Sequence, residues 1–371
     1  MTRSFRILLT FAVAIASLLA LQTYAFGQKN NSKGAVFVMT NAADKNEIVA
    51  YWRAADGGLQ FAGKFSTGGR GSGGTTDPLE SQGALTLTED HSLLLAVNAG
   101  SGSISVFQVQ GPHLTLVDRE PCGGSSPVAV AEHHGLVYVL NAGGNDNVTG
   151  FTLSPWGRLK AIKNSVSLLS SNDSGASSLA FSPDGQFLAV TERLTNKIDI
   201  FGVQANGSLS AISVDNSNGA VPFAAAFAPN GALVVAEASN GVSSYAVAPG
   251  GAITVISGSV PTLGQATCWH VITPDGRSVY TSNAGTSNVS GFSIGTDGTF
   301  TAIGATVVGT NPAGSTNLDI ASSADGKFIY TLNSGTGAVG EFAVQPDGTL
   351  VEIGVTDGLA PVSGLNGIAA F

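Results

Sequence analysis

One phrase recurs seven times in this chain, and that recurrence limits what it can fold into. It reads most clearly as "LAVNAGSGSISVF" (Leu95–Phe107), "YTSNAGTSNVSGF" (Tyr280–Phe292) and "YTLNSGTGAVGEF" (Tyr330–Phe342). The polar residue after the first apolar run serves as a marker. It falls at Asn41, Asn98, Asn141, Glu192, Glu237, Asn283 and Asn333, in steps of 43 to 57 residues. An aromatic follows each marker: Tyr51, Phe107, Phe151, Phe201, Tyr245, Phe292 and Phe342. A tight-turn sequence follows each aromatic, and four copies carry another turn before the marker, as in "SPDG" at Ser182 and "TPDG" at Thr273. Each unit reads strand, turn, strand, marker loop, strand, turn, strand. Four short antiparallel strands in a period of about 40–50 residues is the pattern of a β-propeller blade, so seven markers predict seven blades.

The ends of the array predict how the ring closes. The run Gly34–Asn41 starts at a second strand and lacks a first, whereas "LNGIAAF" (Leu365–Phe371) matches the opening strand of the fourth unit. The C-terminal strand is therefore expected to complete the first blade and remove the free sheet edges. The propeller is assigned to residues 34–371, after a segment 1–25 and a short linker 26–33. Arg3 and Arg6 precede the apolar run Ile7–Leu21, and Thr23-Tyr24-Ala25 offers small residues for cleavage. That is the pattern of a secretory signal peptide, so the mature chain is expected to be secreted or periplasmic, with no later membrane span.

Composition agrees with an all-β fold: Gly is abundant at 49 residues and charged residues make up only 11%. The net charge of −9 excludes a basic surface for nucleic acid or anionic membrane. One bridge between Cys122 and Cys268 stays open, but the repeat register places them nearly opposite each other, which disfavours the approach a disulfide needs.

Strand alternation sorts the loops into two faces. The seven marker loops and the starts of all first strands share one face, and both families of "DG" turns share the other. His91, His113, His133 and His134 fall in turns of the far face, as solvated turn residues. Only His270, in "CWHVITPDG", lies near the marker face, and it aligns with core positions of other blades. Any Ser-His-Asp or multi-histidine metal site is thereby disfavoured.

The runs "SPDGQFLAV", "TPDGRSVYTSN" and "ADGKFIYTLN" resemble the lactonase family of seven-bladed propellers, which includes propeller-type 6-phosphogluconolactonase and carboxymuconate lactonising enzyme. The resemblance implies an active site on the marker face, over the central channel. Glu192 matches the glutamate of the family's "NEL". Ser177 and Ser178 stand where the family usually has Arg and His, Trp269 stands at an acid's place, Ala284 at an arginine's and Asp319 at an asparagine's.

The candidate site residues follow from the markers and this resemblance. Five Asn in one repeated turn are explained by the tolerance of Asn for left-handed angles. The same amides (Asn98, Asn141, Asn283 and Asn333 among them) could instead line a channel mouth and orient a polar ligand. Glu192 and Glu237 break the pattern, because Glu has no comparable turn preference. As rim acids they read as solvated surface groups, as a general base, or as oxygen ligands for a divalent cation such as Ca²⁺. Arg193 could form a surface ion pair or bind an anion. Trp269 could stack on a sugar or pack between blades. The long loop Ser66–Ala84, with Arg70 its only base, reads as a flexible spacer, with a lid as the second option.

Two functions lead, ahead of a third, a metal-assisted lactonase with Glu192 and Glu237 as ligands. One is hydrolysis of a small polar, non-phosphorylated lactone or ester, with Glu192 activating water and Arg193 stabilising the oxyanion. The other is a non-catalytic propeller whose marker face binds a glycan, a small ligand or a protein. No organic cofactor is called for.

Overall fold

The computed structural model describes residues 34–371; segments 1–25 and 26–33, read above as a signal peptide and a linker, lie outside the described residues. Seven antiparallel sheets are arranged as blades, each with four strands running outward from an inner strand. In the third blade the outer strand is split into Leu159–Ala161 and Ser167–Leu168, both paired with the same neighbour. Among the described residues one short 3-10 turn, Ala99–Ser101, interrupts the β-structure.

The first blade is closed by the chain's other end. Ile368–Ala370 is its inner strand and pairs with Gly34–Met39 in the register Val36↔Ala370, Phe37↔Ala369 and Val38↔Ile368. Arg53 Nε donates to the Phe371 carbonyl at 3.1 Å, fixing the last residue as well.

The periodic residues explain why each copy folds alike. All seven marker-following aromatics are at most 2% exposed. Burying each contributes roughly 2–3 kcal/mol, which makes the aromatic the anchor of its blade. In the turn "SPDG", Ser182 Oγ donates to Asp184 Oδ1 at 2.6 Å and the Gln186 N–H donates to the same oxygen at 3.0 Å. Thr88–Asp90, Thr273–Asp275 and Ser323–Asp325 repeat that contact. Gly185, Gly276 and Gly326 take φ of 67° to 69° after these aspartates, a conformation that costs glycine nothing.

Adjacent blades are tied by tyrosines of the second strands. Tyr138, Tyr280 and Tyr330 hydroxyls donate to the carbonyls of Gly207, Gly348 and Gly57, each in an outer turn of the next blade. Cys122 and Cys268 are both buried and unpaired.

Candidate functional site on the marker face

Every marker sits at or just past the end of a second strand, and all seven are 0% exposed. Of the five Asn markers only Asn41 has a positive φ, so left-handed turn geometry does not explain the repeat. The amides latch strands and blades together instead. Asn98 Nδ2 donates to Ser105 Oγ at 2.8 Å, and its Oδ1 accepts from Thr67 Oγ1 at 2.6 Å. Asn283 repeats this with Ser290 and Thr267. Asn141 Nδ2 donates to Asn147 Oδ1, and Asn333 Nδ2 to Asn311 Oδ1.

The same position explains the two acids. Glu192 Oε1 accepts from the Ser170 N–H at 2.9 Å, and Oε2 accepts from Ser170 Oγ at 2.7 Å and from Thr195 Oγ1. Glu237 accepts from the Gly219 N–H, Ser243 Oγ and Ser259 Oγ. An amide suits a mixture of donors and acceptors, whereas these two positions offer donors only, and a carboxylate is the acceptor-only group. The expectation of solvated rim acids is therefore corrected: both are buried and saturated by hydroxyls and N–H groups. They share no hydrogen-bond partner, so the structure does not bring them together as ligands of one cation. Asp199 lies beside Glu192 on the same Ser170 N–H, at 3.0 Å. Burial, reinforced by the charge of Glu192, pushes the Asp199 carboxyl up to about 8.

The long loop is neither spacer nor lid; its second half enters the mouth of the central channel. Leu79 is 5% exposed, and the two residues that follow Glu80 tie four blades together. Ser81 Oγ donates to the Val128 carbonyl and Ser81 O accepts from Trp269 Nε1 at 2.9 Å. The Gln82 N–H donates to Ser177 O. Gln82 Nε2 donates to His270 O at 2.8 Å and Asp319 Oδ1 at 3.0 Å, while Gln82 Oε1 accepts from the His270 N–H at 3.2 Å. These are the first-strand groups that face a channel mouth, and the chain's own backbone and amide occupy them.

Trp269, His270 and Asp319 are thus walls around this plug and do not form an open ligand surface. Trp269 is 1% exposed and packs edge-on to Phe223, with ring centroids 5.1 Å apart. His270 is fully enclosed, neither ring nitrogen has a partner, and burial lowers its pKa to about 3. Asp319, held at φ 65°, also accepts from the Ile368 N–H, and burial pushes its carboxyl up to about 7. Arg70 projects outward from the exposed half of the loop, with its N–H bonded to Ser101 Oγ.

A cavity of about 300 Å³ remains open on this face, between the plug and the marker loops of the second to fourth blades. Arg193, Glu80, Asp146, Asp173 and Ser126 line it. Arg193 forms an ion pair with Glu80, and its buried Nε has no partner. Asp146 is held by Ser174, whose N–H and Oγ both donate to Oδ2 at 2.8 Å. Just behind Glu80, Asp77 Oδ1 accepts from Asn366 Nδ2 and the Glu80 N–H. Burial pushes the Asp77 carboxyl up to about 7, with Glu80 adding to the rise and Arg193 opposing it. Of the predicted residues, only Arg193 lies in this cavity. Glu80, Asp77 and Gln82 were missed from sequence; the signal was an apolar Leu79 within an otherwise Gly-rich, polar loop.

Residues 136–271 match the family model described as a lactonase, seven-bladed β-propeller. A putative 6-phosphogluconolactonase from Bacteroides uniformis superposes with a TM-score of 0.68 at 17% identity, covering 91% of this chain and 99% of that one. A periplasmic gluconolactonase from Pseudomonas aeruginosa superposes with a TM-score of 0.69 at 16% identity, with the same coverages. A protein from Lactobacillus plantarum gives 0.71 at 19% identity, over 91% of this chain and 98% of that one. No curated protein matches the chain in sequence. At these identities the superpositions establish the fold, and the family model adds the sequence pattern. The chain is a seven-bladed β-propeller that carries the lactonase-family pattern over residues 136–271.

Proposed function

We propose that this protein is an exported hydrolase of a small, polar, non-phosphorylated lactone, acting in the cavity beneath the marker loops. The carrying observation is the Arg193–Glu80 pair: a cation with a free, buried Nε beside an accessible carboxylate on the face where this family's chemistry is expected. Glu192 is replaced in the proposed role of base, because a 0% exposed carboxylate whose oxygens are already engaged does not reach substrate. In the proposed reaction the lactone carbonyl displaces Glu80 from Arg193, whose N–H groups then stabilise the oxyanion. Glu80 takes a proton from the attacking water, the ring C–O bond breaks, and that proton passes to the departing alkoxide to give a hydroxy acid. The carboxylates of Asp146 and Asp173 in the lining oppose a phosphorylated substrate.

A second reading, a binding-only propeller, is favoured by one observation: the channel mouth is filled by Ser81 and Gln82. Turnover of a panel of sugar and aliphatic lactones separates the two. The hydrolase reading expects hydrolysis that drops by at least about 100-fold in both Glu80→Gln and Arg193→Gln, in line with the loss of a general base or an oxyanion donor. No turnover, together with a ligand-dependent rise in melting temperature that Arg193→Gln abolishes, would establish the binding reading. Export is supported by the N-terminal Arg3, Arg6 and Ile7–Leu21 pattern and is tested by the N-terminal sequence of the mature protein.

A further inference from the structure

On the turn face, opposite the cavity, two blades depart from their own repeat, and the departures meet. The second blade has "TEDH" where its siblings have "SPDG", "APNG", "TPDG" or "SADG", which places Glu89 where the others carry Pro183, Pro229, Pro274 or Ala324. The third blade has "EHHG", and its hairpin is shorter, with His133↔Leu136 closing a two-residue turn. That turn, His134–Gly135, has φ of 48° and 81°, the type I′ geometry in which both central residues are left-handed. In an ordinary strand, consecutive side chains point to opposite faces. Here the left-handed His134 swings its ring back beside His133, and their centroids are 4.2 Å apart.

Glu89 reaches both imidazoles from the neighbouring blade. Its Oε1 lies 2.9 Å from His133 Nδ1 and its Oε2 lies 3.4 Å from His134 Nδ1. One donor atom from each of the three residues lies within 4.8 Å of the others. Around a tetrahedral ion with bonds of about 2.0–2.1 Å, neighbouring donor atoms are about 3.3–3.4 Å apart, so closing three corners takes a shift of no more than about 1.4 Å, within reach of rotation of the exposed His134 and Glu89 side chains. The inner ring is oriented for this. A Cβ added at Gly185 would meet His133 Cδ2 and Nε2 at 2.6 Å, so the fourth blade covers that edge and leaves Nδ1 facing Glu89. His134 and Glu89 are exposed at 76% and 53%, and beside them opens a cavity of about 390 Å³ lined also by Asp90 and Glu132. A fourth, water ligand has room there.

We propose that Glu89, His133 and His134 form a binding site for one divalent ion of the zinc class, joining the second and third blades. Two imidazoles and one carboxylate are a borderline donor set that selects Zn²⁺ or Co²⁺ over the hard cations Ca²⁺ and Mg²⁺. The site is independent of the proposed hydrolase cavity, which lies on the other face.

The test uses the untagged full chain, freed of metal by dialysis against chelator and titrated with Zn²⁺ by calorimetry and with Co²⁺ by visible absorption. The expected result is one saturable equivalent with an affinity on the order of micromolar or tighter, and with cobalt an intense tetrahedral ligand-field band. His134→Asn creates Asn-Gly, the favoured type I′ pair, so its fold is safe. That variant and Glu89→Gln are expected to bind at least about tenfold more weakly and to lose the cobalt band. His113→Asn, elsewhere on the same face, keeps both. Absence of a one-equivalent isotherm, or binding and band unchanged in His134→Asn and Glu89→Gln, would overturn the proposal and leave an ordinary Glu–His ion pair.

Discussion

Replacing Asp77 by Asn should make the protein more stable, and increasingly so as pH rises. Both hydrogen bonds to Asp77 are accepted by Oδ1, so an Asn keeps them and places its amide nitrogen where Oδ2 has no donor to face. The left-handed φ of 43° is one that Asn tolerates well. In the fold, burial holds the Asp77 proton up to about pH 7, whereas the unfolded chain releases it near pH 3.9. The native state therefore binds the extra proton between those values, and stability falls by about 1.4 kcal/mol per pH unit across that window. The full cost above pH 7 is about 4 kcal/mol, and the Asp77→Asn variant escapes it. Between pH 5 and pH 8 the advantage of Asp77→Asn over the parent should grow by about 3 kcal/mol. Asp319 and Asp199 tilt the parent in the same direction, and buried His270, whose pKa is lowered, tilts it oppositely below its unfolded value. Those contributions are common to both proteins and largely cancel in the difference. Urea unfolding followed through the buried Trp269 at pH 5, 6, 7 and 8 supplies the measurement. A variant whose stability runs parallel to the parent across that range would refute the reasoning, because Asp77 would then be ionised in the fold like an ordinary surface acid.

Gln82→Ala removes three hydrogen bonds that span the channel and leaves the His270 N–H and carbonyl without partners; it should cost about 2–4 kcal/mol in urea unfolding. A loss below about 0.5 kcal/mol would mean that the plug is an accessory and that water serves these groups equally well. Glu192→Gln turns an amide nitrogen toward the donors of Ser170 or Thr195 and should cost about 1–3 kcal/mol, which thermal unfolding would report. Because Glu192 also keeps Asp199 protonated, the Asp199 carboxyl should titrate lower in this variant, as read by carboxyl NMR.

The architecture was legible in the sequence because each level of pattern repeats. The aromatic after each marker, the Asp-Gly turns and the complementary chain ends all specify one blade seven times over, and the pairing Val36↔Ala370 realises the expected closure. The site was less legible, for a physical reason. Whether Glu192 faces water or a cluster of hydroxyls depends on Ser170, which comes from the preceding blade and has no fixed spacing to the marker. The role of Ser66–Ala84 depends on contacts with His270 and Asp319, about 190 and 240 residues away in sequence, which no local pattern encodes. His133 and His134 were placed correctly on the turn face. Their convergence with Glu89 needed the neighbouring blade and the left-handed turn, so the reading as merely solvated turn residues is corrected for His133, whose side chain is only 13% exposed.

Closing the ring with the last strand also sets the order in which the molecule can be made. The strands Gly34–Met39, Glu47–Arg53 and Leu59–Ser66 emerge early, but their innermost partner, Ile368–Ala370, follows every other described strand. Until then the first sheet presents an unpaired edge, the form most prone to pair with another chain. Contacts of such long sequence separation also make folding slow. Whatever receives the growing chain must shield that edge until Ile368–Ala370 has been made and can take its place.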